Sequence, residues 1–433
     1  MDRLSTWLLL LIVALVAGCA SLPPGSDYPK SVSLAYAHPE ETRLGRQFVE
    51  AGREHVGQSG FRIIPVGADG FLLRMQMINA AERTLDVQYY IFRGDETGRM
   101  LTYALLRAAD RGVRVRVLVD DGDTIAGDEQ LALLEAHAAV EVRIFNPFAY
   151  RGHATLLRAI EFLFNSSRLD YRMHNKLLVV DNAMALLGGR NIGDQYFQIN
   201  PESQFADDDV FAAGPVARQL SGTFDEYWNH GLSIPVAALS GGKSSNRLLQ
   251  AHRDDLHQES RLAQTEGVDY LQRVASGEPL GAIVSGRTPL IWAHAQLVCD
   301  SPDKKNVDSG LMVGRLMQRT VANATIAVQS ELLMVTPYLI PGDEGMQLSK
   351  NLRQRQVRVR ILTNSLESST EALAQAGYAH YRVPLLESGI ELYEIRSLLG
   401  NTSGSGESKA MSRYGNYSLH AKLFVLDRQR LFI

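Results

Sequence analysis

Two stretches of this 433-residue chain repeat one another: "MHNKLLVVDNAMALLGGRN" at 173–191 and "LHAKLFVLDRQRLFI" at 419–433. In each, a histidine is followed two residues later by a lysine and five residues further on by an aspartate. These are His174, Lys176 and Asp181 in the first stretch and His420, Lys422 and Asp427 in the second. The repetition extends upstream in the same order. "TLDVQYYIF" (84–92) matches "ELLMVTPYLIP" (331–341), "VRVRVLVDD" (113–121) matches "VRVRILTNS" (357–365), and "VEVRIFN" (140–146) matches "IELYEI" (390–395), at offsets of 244 to 250 residues. One order of elements carried twice is an internal duplication, so the chain is expected to fold as two copies of one unit.

Each unit alternates strand-like and helix-like segments. "ADGFLLRMQMINAAE" (68–82) and "TGRMLTYALLRAADRG" (97–112) have apolar residues at helical spacing, the second closed by glycine. Strands separated by helices of this length predict an α/β fold in which each domain is a mostly parallel sheet flanked by helices. The expected boundaries are a first domain at 61–231, a polar helical insertion or linker at 232–288, and a second domain at 289–433. The last of these is incomplete. Six residues follow Asp181 before Gly188, whereas six follow Asp427 and then the chain stops. The sequence is therefore read as the C-terminally truncated form of a longer protein.

The first thirty residues read as an address. "TWLLLLIVALVAG" is an apolar run too short to span a bilayer comfortably, and it ends in "VAGCAS". Small residues before a cysteine resemble a bacterial lipobox, which makes 1–18 a lipoprotein signal peptide and Cys19 the lipidated N-terminus. Residues 19–60 follow as a tether and N-terminal extension, beginning with the Pro/Gly/Ser-rich "SLPPGSDYPKSV". Lipid on Cys19 leaves Cys299 alone, so no internal disulfide is expected. The implied location is the bacterial cell envelope, anchored at Cys19 and facing the periplasm, with the outer membrane favoured by Ala20 and Ser21.

The chemistry sits in the repeated motif. On a buried strand, residues two apart project from one face, so each copy offers an imidazole and an ammonium to the same small volume. A phosphate ester suits that pair, because lysine supplies charge while histidine attacks phosphorus or passes a proton near neutral pH. In the first copy Gly188 and Gly189 permit close backbone approach to a bound phosphate, and Asn191 adds an amide donor. One of Asp207, Asp208 and Asp209 is a candidate to orient a motif histidine, a solvated turn being the plain alternative. Only eight of the 44 basic residues are lysine, and two of them occupy the motifs. A formal net charge of −4 argues against a generic nucleic-acid partner. No cluster near the motifs resembles a metal site, and neither metal nor cofactor is expected.

The paired motif and the following Gly-Gly-x-Asn resemble the phospholipase D superfamily, over most of the chain from about residue 60. "LDVQYYI", "GVRVRVLVDD", "RMHNK", "GGRNIGDQYF", "PLIWA" and "LHAK" look like its bacterial phosphatidyltransferases of the cardiolipin synthase C type. The resemblance implies duplicated phospholipase D-like domains with one site at their pseudo-twofold interface. It implies metal-free phosphatidyl transfer between phospholipids, with His174 as nucleophile forming a phosphohistidine and His420 as acid/base. Lys176, Lys422 and Asn191 would hold phosphoryl oxygens, and Asp181 and Asp427 would support the site rather than carry protons. The implied partner is a membrane containing phosphatidylglycerol, with phosphatidylethanolamine a second candidate lipid; the oligomeric state is left open. Hydrolysis at the same site, of phospholipid or of nucleic acid, and an inactive lipoprotein scaffold are the alternatives.

Overall fold

The structure, a computed structural model, describes residues 26–122, 128–152, 154–199, 204–240, 250, 254, 278–302, 316–397 and 417–433. The signal peptide, Cys19 and most of the 232–288 excursion lie outside the described residues.

The first half contributes β1 (Ser59–Ile64), β2 (Thr84–Tyr89), β3 (Arg114–Asp120), β4 (Val140–Phe145), β5 (Lys176–Val180), β6 (Met184–Gly188), β7 (Gln204–Ala206), β8 (Asp209–Ala213), β9 (Ser233–Pro235) and β10 (Ile291–Ala293). The second contributes β11 (Glu331–Val335), β12 (Arg358–Asn364), β13 (Glu391–Ile395), β14 (Tyr417–Leu419), β15 (Leu423–Leu426) and β16 (Arg430–Phe432). The longest helices among the described residues are α1 (Gly67–Ala80), α2 (Glu96–Asp110), α3 (Thr155–Leu169), α4 (Pro215–Asn229), α5 (Gly342–Gln354) and α6 (Ala372–Glu387).

The duplication is visible as topology. A nine-stranded sheet runs β10-β1-β8-β6-β5-β2-β3-β4-β9, and a five-stranded sheet runs β13-β12-β11-β15-β16. The stretch β6-β5-β2-β3-β4 of the first repeats as β16-β15-β11-β12-β13 in the second, with the same strand directions. Pairing is parallel where helices make the connections, β2-β3-β4 and β11-β12-β13. The motif strands β5 and β15 instead run antiparallel to β2 and β11, and each folds back through a tight hairpin. β10, which the sequence places in the second domain, pairs with β1 in the first sheet. Leu280 and Ile283, from the end of the expected insertion, also belong to the first core. Their apolar surface is buried there, so this part of the chain packs with the first half.

Side chains alternate across the first sheet, so it is covered on both faces. Val87, Val117 and Leu178 face the cluster that contains Phe71 of α1 and Leu105 of α2, whereas Leu118, Val179 and Ala212 face Leu220, Phe224 and Trp228 of α4. Arg116 on the α4 side is buried with its charge matched by Asp86 at 2.7 Å and Asp225 at 2.8 Å. The N-terminal extension is strapped to this half from Lys30, whose ammonium donates to the carbonyls of His230, Gly231 and Ser233.

The motif aspartates hold the hairpins. Asp181 and Asn182 have φ of 53° and 52°, and Asp427 and Arg428 have 52° and 55°, the two left-handed residues of a type I′ turn. Each carboxylate then reaches across to the start of the neighbouring strand. Asp181 accepts backbone N–H bonds from Glu82, Arg83 and Thr84 at 3.0, 2.7 and 2.8 Å. Asp427 accepts from Gln329, Ser330 and Glu331 at 3.0, 2.7 and 3.1 Å. Burial raises the Asp181 carboxyl above its usual range despite these bonds. At Asp427 a smaller desolvation is outweighed by the backbone donors, which hold its carboxyl well below that range.

Asp181→Ala is expected to lower stability by about 3 kcal/mol, because it strands buried backbone donors and loses a residue tolerant of positive φ. Asp181→Asn, which keeps one acceptor and the turn conformation, should recover part of that loss in denaturant unfolding. It should also retain most of the activity. Equal inactivation by both substitutions with no loss of stability would mean that Asp181 acts in the chemistry.

Candidate active site

Both motif histidines lie just ahead of a sheet strand, and equivalent polar residues fix their approach. At the end of β3, Asp120 Oδ2 accepts the backbone N–H of Met173 at 2.8 Å. At the end of β12, Asn364 Oδ1 accepts the backbone N–H of Leu419 at 2.8 Å, and its Nδ2 donates to the Leu419 carbonyl at 2.9 Å. The residue before each histidine is thereby clamped in the same way in both halves. Burial pushes the Asp120 carboxyl up to about 6, against the opposing pull of Arg172, which bonds it at 2.9 Å.

His174 is exposed, with its ring 4.5 Å from that of Tyr90 at an interplanar angle of 41°. Lys176 Nζ lies 3.0 Å from His174 Nδ1 and donates to the His174 carbonyl at 2.8 Å. Lys176 is buried; desolvation, and then the charge of Lys422 from the other half, hold its ammonium well below the ordinary lysine range. Lys422 is more open to solvent, yet desolvation by the same surroundings lowers it in the same direction.

His420 is enclosed. Its Nδ1 lies 2.5 Å from Asp207 Oδ2, and Lys422 Nζ is 3.5 Å from its Nε2. Phe205 and Tyr196 wall the imidazole at centroid distances of 5.2 and 5.6 Å. The two-stranded pairing of β14 with β7 carries His420 to this place, and the Ala206 carbonyl accepts the backbone N–H groups of His420 and Ala421 at 2.8 and 3.0 Å. Desolvation lowers the His420 pKa below 6.5; the hydrogen bond to Asp207 opposes this and the nearby ammonium groups reinforce it.

The structure thus brings His174, Lys176, His420, Lys422 and Asp207 to one place, while Asp181 and Asp427 hold hairpin turns at the far ends of the motif strands. Of the acidic run, Asp207 meets His420, and Asp209 is buried in a pair with Arg74 at 2.8 Å and Arg190 at 3.0 Å. The expectation for the glycines needs correction. A Cβ on Gly189 would stand 2.0 Å from Asp207 Oδ1, and one on Gly188 2.4 Å from the Asp208 carbonyl, so this acidic segment fills the room they leave. Asn191 is also engaged within the protein: its Oδ1 accepts from the Ile91 N–H at 3.1 Å and its Nδ2 donates to the Tyr196 hydroxyl at 2.8 Å. Tyr90, Asp120 and Asn364 escaped the sequence reading. The signal for the last two was a polar residue ending an apolar strand at equivalent repeat positions; Tyr90 had none beyond its place in the matched strand.

Two histidine–lysine pairs meet across a duplicated α/β fold, one imidazole backed by a carboxylate, and both fold and motif pairing are those of the phospholipase D class. The sequence model of the family described as "Cardiolipin synthase, PLD-like domain" matches residues 75–228 and 321–433, and the chain belongs to that family. Cardiolipin synthase C of Escherichia coli (strain K12) is 36% identical over 397 residues, covering 90% of this chain and 80% of that protein. An uncharacterized protein of Helicobacter pylori (strain ATCC 700392 / 26695) is 30% identical over 423 residues, 97% of this chain and 81% of its own length. Among solved structures, the phosphatidylserine synthase of Haemophilus influenzae Rd KW20 aligns at a TM-score of 0.49 and 13% identity, over 88% of this chain and 80% of that one. At the family level the chain is an enzyme of phospholipid phosphatidyl transfer.

In a nuclear magnetic resonance titration the His420 ring, assigned by loss of its signal in His420→Gln, should titrate below 6.5. Asp207→Asn removes a raising influence, so it should move the value lower still and cut turnover by roughly 10²–10⁴-fold. A wild-type value above 6.5 would show that the carboxylate, not burial, governs this imidazole.

Proposed function

We propose that the chain moves a phosphatidyl group from one phospholipid to the hydroxyl of another, forming cardiolipin, through a phosphohistidine at His174. His174 attacks phosphorus as the bond from phosphorus to the departing alcohol breaks, and His420 gives that alcohol its proton. The incoming hydroxyl then returns a proton to His420 and attacks phosphorus, and the phosphorus–nitrogen bond breaks. The observation that carries this reading is the 2.5 Å contact between Asp207 and His420 Nδ1. A carboxylate on Nδ1 orients the imidazole and stabilises its protonated form, which suits an acid/base, and leaves Nε2 on the side of Lys422. His174 instead has the Lys176 Nζ 3.0 Å from Nδ1 and an exposed ring, and a ring open to an incoming phosphorus suits a nucleophile. Lys176 and Lys422 supply positive charge for the phosphoryl oxygens. Phosphatidylglycerol is the proposed donor and acceptor, with phosphatidylethanolamine a second source of phosphatidyl groups. The enzyme is further proposed to sit in the cell envelope, held by lipid on Cys19 and facing the periplasm.

Mixing with labelled phosphatidylglycerol and quenching should trap an acid-labile, base-stable adduct on the protein. His174→Ala should abolish it and reduce turnover by at least ~10³-fold. His420→Ala should slow release and let the adduct accumulate. An adduct that persists in His174→Ala would reassign the nucleophile, and phosphatidic acid as the only product would make the enzyme a hydrolase.

A further inference from the structure

Helix α3 is built inside out. Three of its polar residues, two of them ionisable, face the protein: Arg158, Glu161 and Asn165 are 8%, 4% and 7% exposed. The Glu161 carboxylate accepts the N–H groups of Ala149 and Tyr150 at 2.7 and 2.9 Å. Arg158 donates to the Asp121 carbonyl at 2.7 Å, and Arg168 donates to the Asn146 side chain and the Pro147 carbonyl, both at 2.8 Å. The apolar residues face outward, with Leu156 70%, Leu163 74% and Phe164 62% exposed, beside Leu157, Ile160 and Phe162. No exposed position of the helix from Thr155 to Ser166 carries a charge. A surface helix of a water-soluble domain normally has the reverse arrangement. A contiguous uncharged face of this kind marks a contact with something apolar.

We propose that this face of α3 lies in the surface of a phospholipid bilayer and holds the active site against it. The proposal rests on the phospholipid reading of the site, since a diacyl substrate resides in a bilayer. Continuity with the site selects the bilayer over other occupants. Leu169 at the end of α3 is buried, its carbonyl accepts from Arg172 at 2.7 Å, and Arg172 is fixed by Asp120, which also clamps Met173. His174 follows directly and is exposed, so the five residues from Leu169 keep it within at most about 18 Å of the docked helix. Insertion across the membrane is ruled out for α3, because its 15 residues reach only about 22 Å against a hydrocarbon core of ~30 Å. Among the described residues, no helix is long and apolar enough to cross a membrane. The helix therefore lies in the interface, with its apolar side chains among the upper acyl segments.

The test uses the full chain carrying Cys19→Ser and Cys299→Ser, with one fluorophore at Leu163→Cys or, for comparison, at Arg218→Cys on α4. With vesicles of phosphatidylglycerol and phosphatidylethanolamine, lipids bearing a spin label high on the acyl chain should quench the probe at 163 strongly and the probe at 218 little. In the otherwise unaltered chain, Leu156→Asp with Leu163→Asp and Phe164→Asp should raise KM for vesicle lipid at least tenfold. Turnover of a short-chain monomeric phospholipid and the melting temperature should not change. No quenching at 163 overturns the proposal. A large fall in melting temperature would mean that another segment of this chain covers the face, and a change in oligomeric state would mean that a second copy does; either overturns it. Quenching at 163 in a protein that converts no phospholipid would uphold the docking and reject the activity instead.

Discussion

One buried carboxylate makes the site tolerable. Lys176, Lys422 and His420 converge from two halves of the chain, and each carries or acquires positive charge in surroundings that hydrate it poorly. Such a group is stable only beside a compensating charge. Asp207 supplies it at 2.5 Å from His420, and much of the first domain serves to put it there. Gly189 leaves the space its carboxylate occupies. Arg190 donates to the Asp207 carbonyl and to Asp209, and Asp209 is gripped from the other side by Arg74 of α1. Gly70 on the same helix makes room in turn, since a Cβ there would sit 2.8 Å from Asp209 Oδ2. Position at the imidazole is thus inherited from a buried arginine–aspartate–arginine network, which costs desolvation but has one satisfactory geometry.

The duplication creates two similar sites of attachment, and departures from it make their surroundings differ. Asp120 and Asn364 occupy equivalent positions and make the same bond to the residue before each histidine, so backbone placement is shared between the halves. What surrounds the imidazoles differs. His420 sits under β7 of the opposite half, enclosed by Phe205 and Tyr196, with a carboxylate on Nδ1. His174 lies open beside Tyr90, with an ammonium near Nδ1. An enclosed imidazole on a carboxylate is the one suited to hold a proton, and an open one is the one a phosphorus could reach, which is the division of roles proposed above. Equal motifs are thus set in unequal surroundings.

Legibility in the sequence followed how local each interaction was. The duplication could be read because order, spacing and the His-x-Lys pairs repeat, and the β2-β3-β4 and β11-β12-β13 trios because helical crossovers force parallel neighbours. The antiparallel attachment of the motif strands was harder to see. Their hairpins turn on Asp-Asn and Asp-Arg rather than on the Asn-Gly or Asp-Gly that usually announces a type I′ turn. The glycines show a second limit. A glycine pair announces that something comes close, but sequence does not say whether it is a ligand or the protein's own strand, and here the Asp207–Asp209 segment fills the space. Which aspartate of that segment serves His420 is likewise decided by a contact over 213 residues of sequence, beyond the reach of any local pattern.

The electrostatics of the two lysines connect this arrangement to the substrate. In the absence of an anion, each ammonium lowers the proton affinity of its surroundings, and Lys176, the more deeply buried, bears most of the penalty. A phosphodiester between them reverses the balance, because a negative charge close to a buried amine favours its protonated form. The same charge, placed near His420, would favour a proton there and oppose the lowering that burial imposes. An anionic headgroup bound there would therefore favour the protonated lysines, while a neutral ligand of equal size would leave their burial uncompensated. Desolvation of the two amines is thus a cost that a phosphate between them would relieve and a neutral ligand would not.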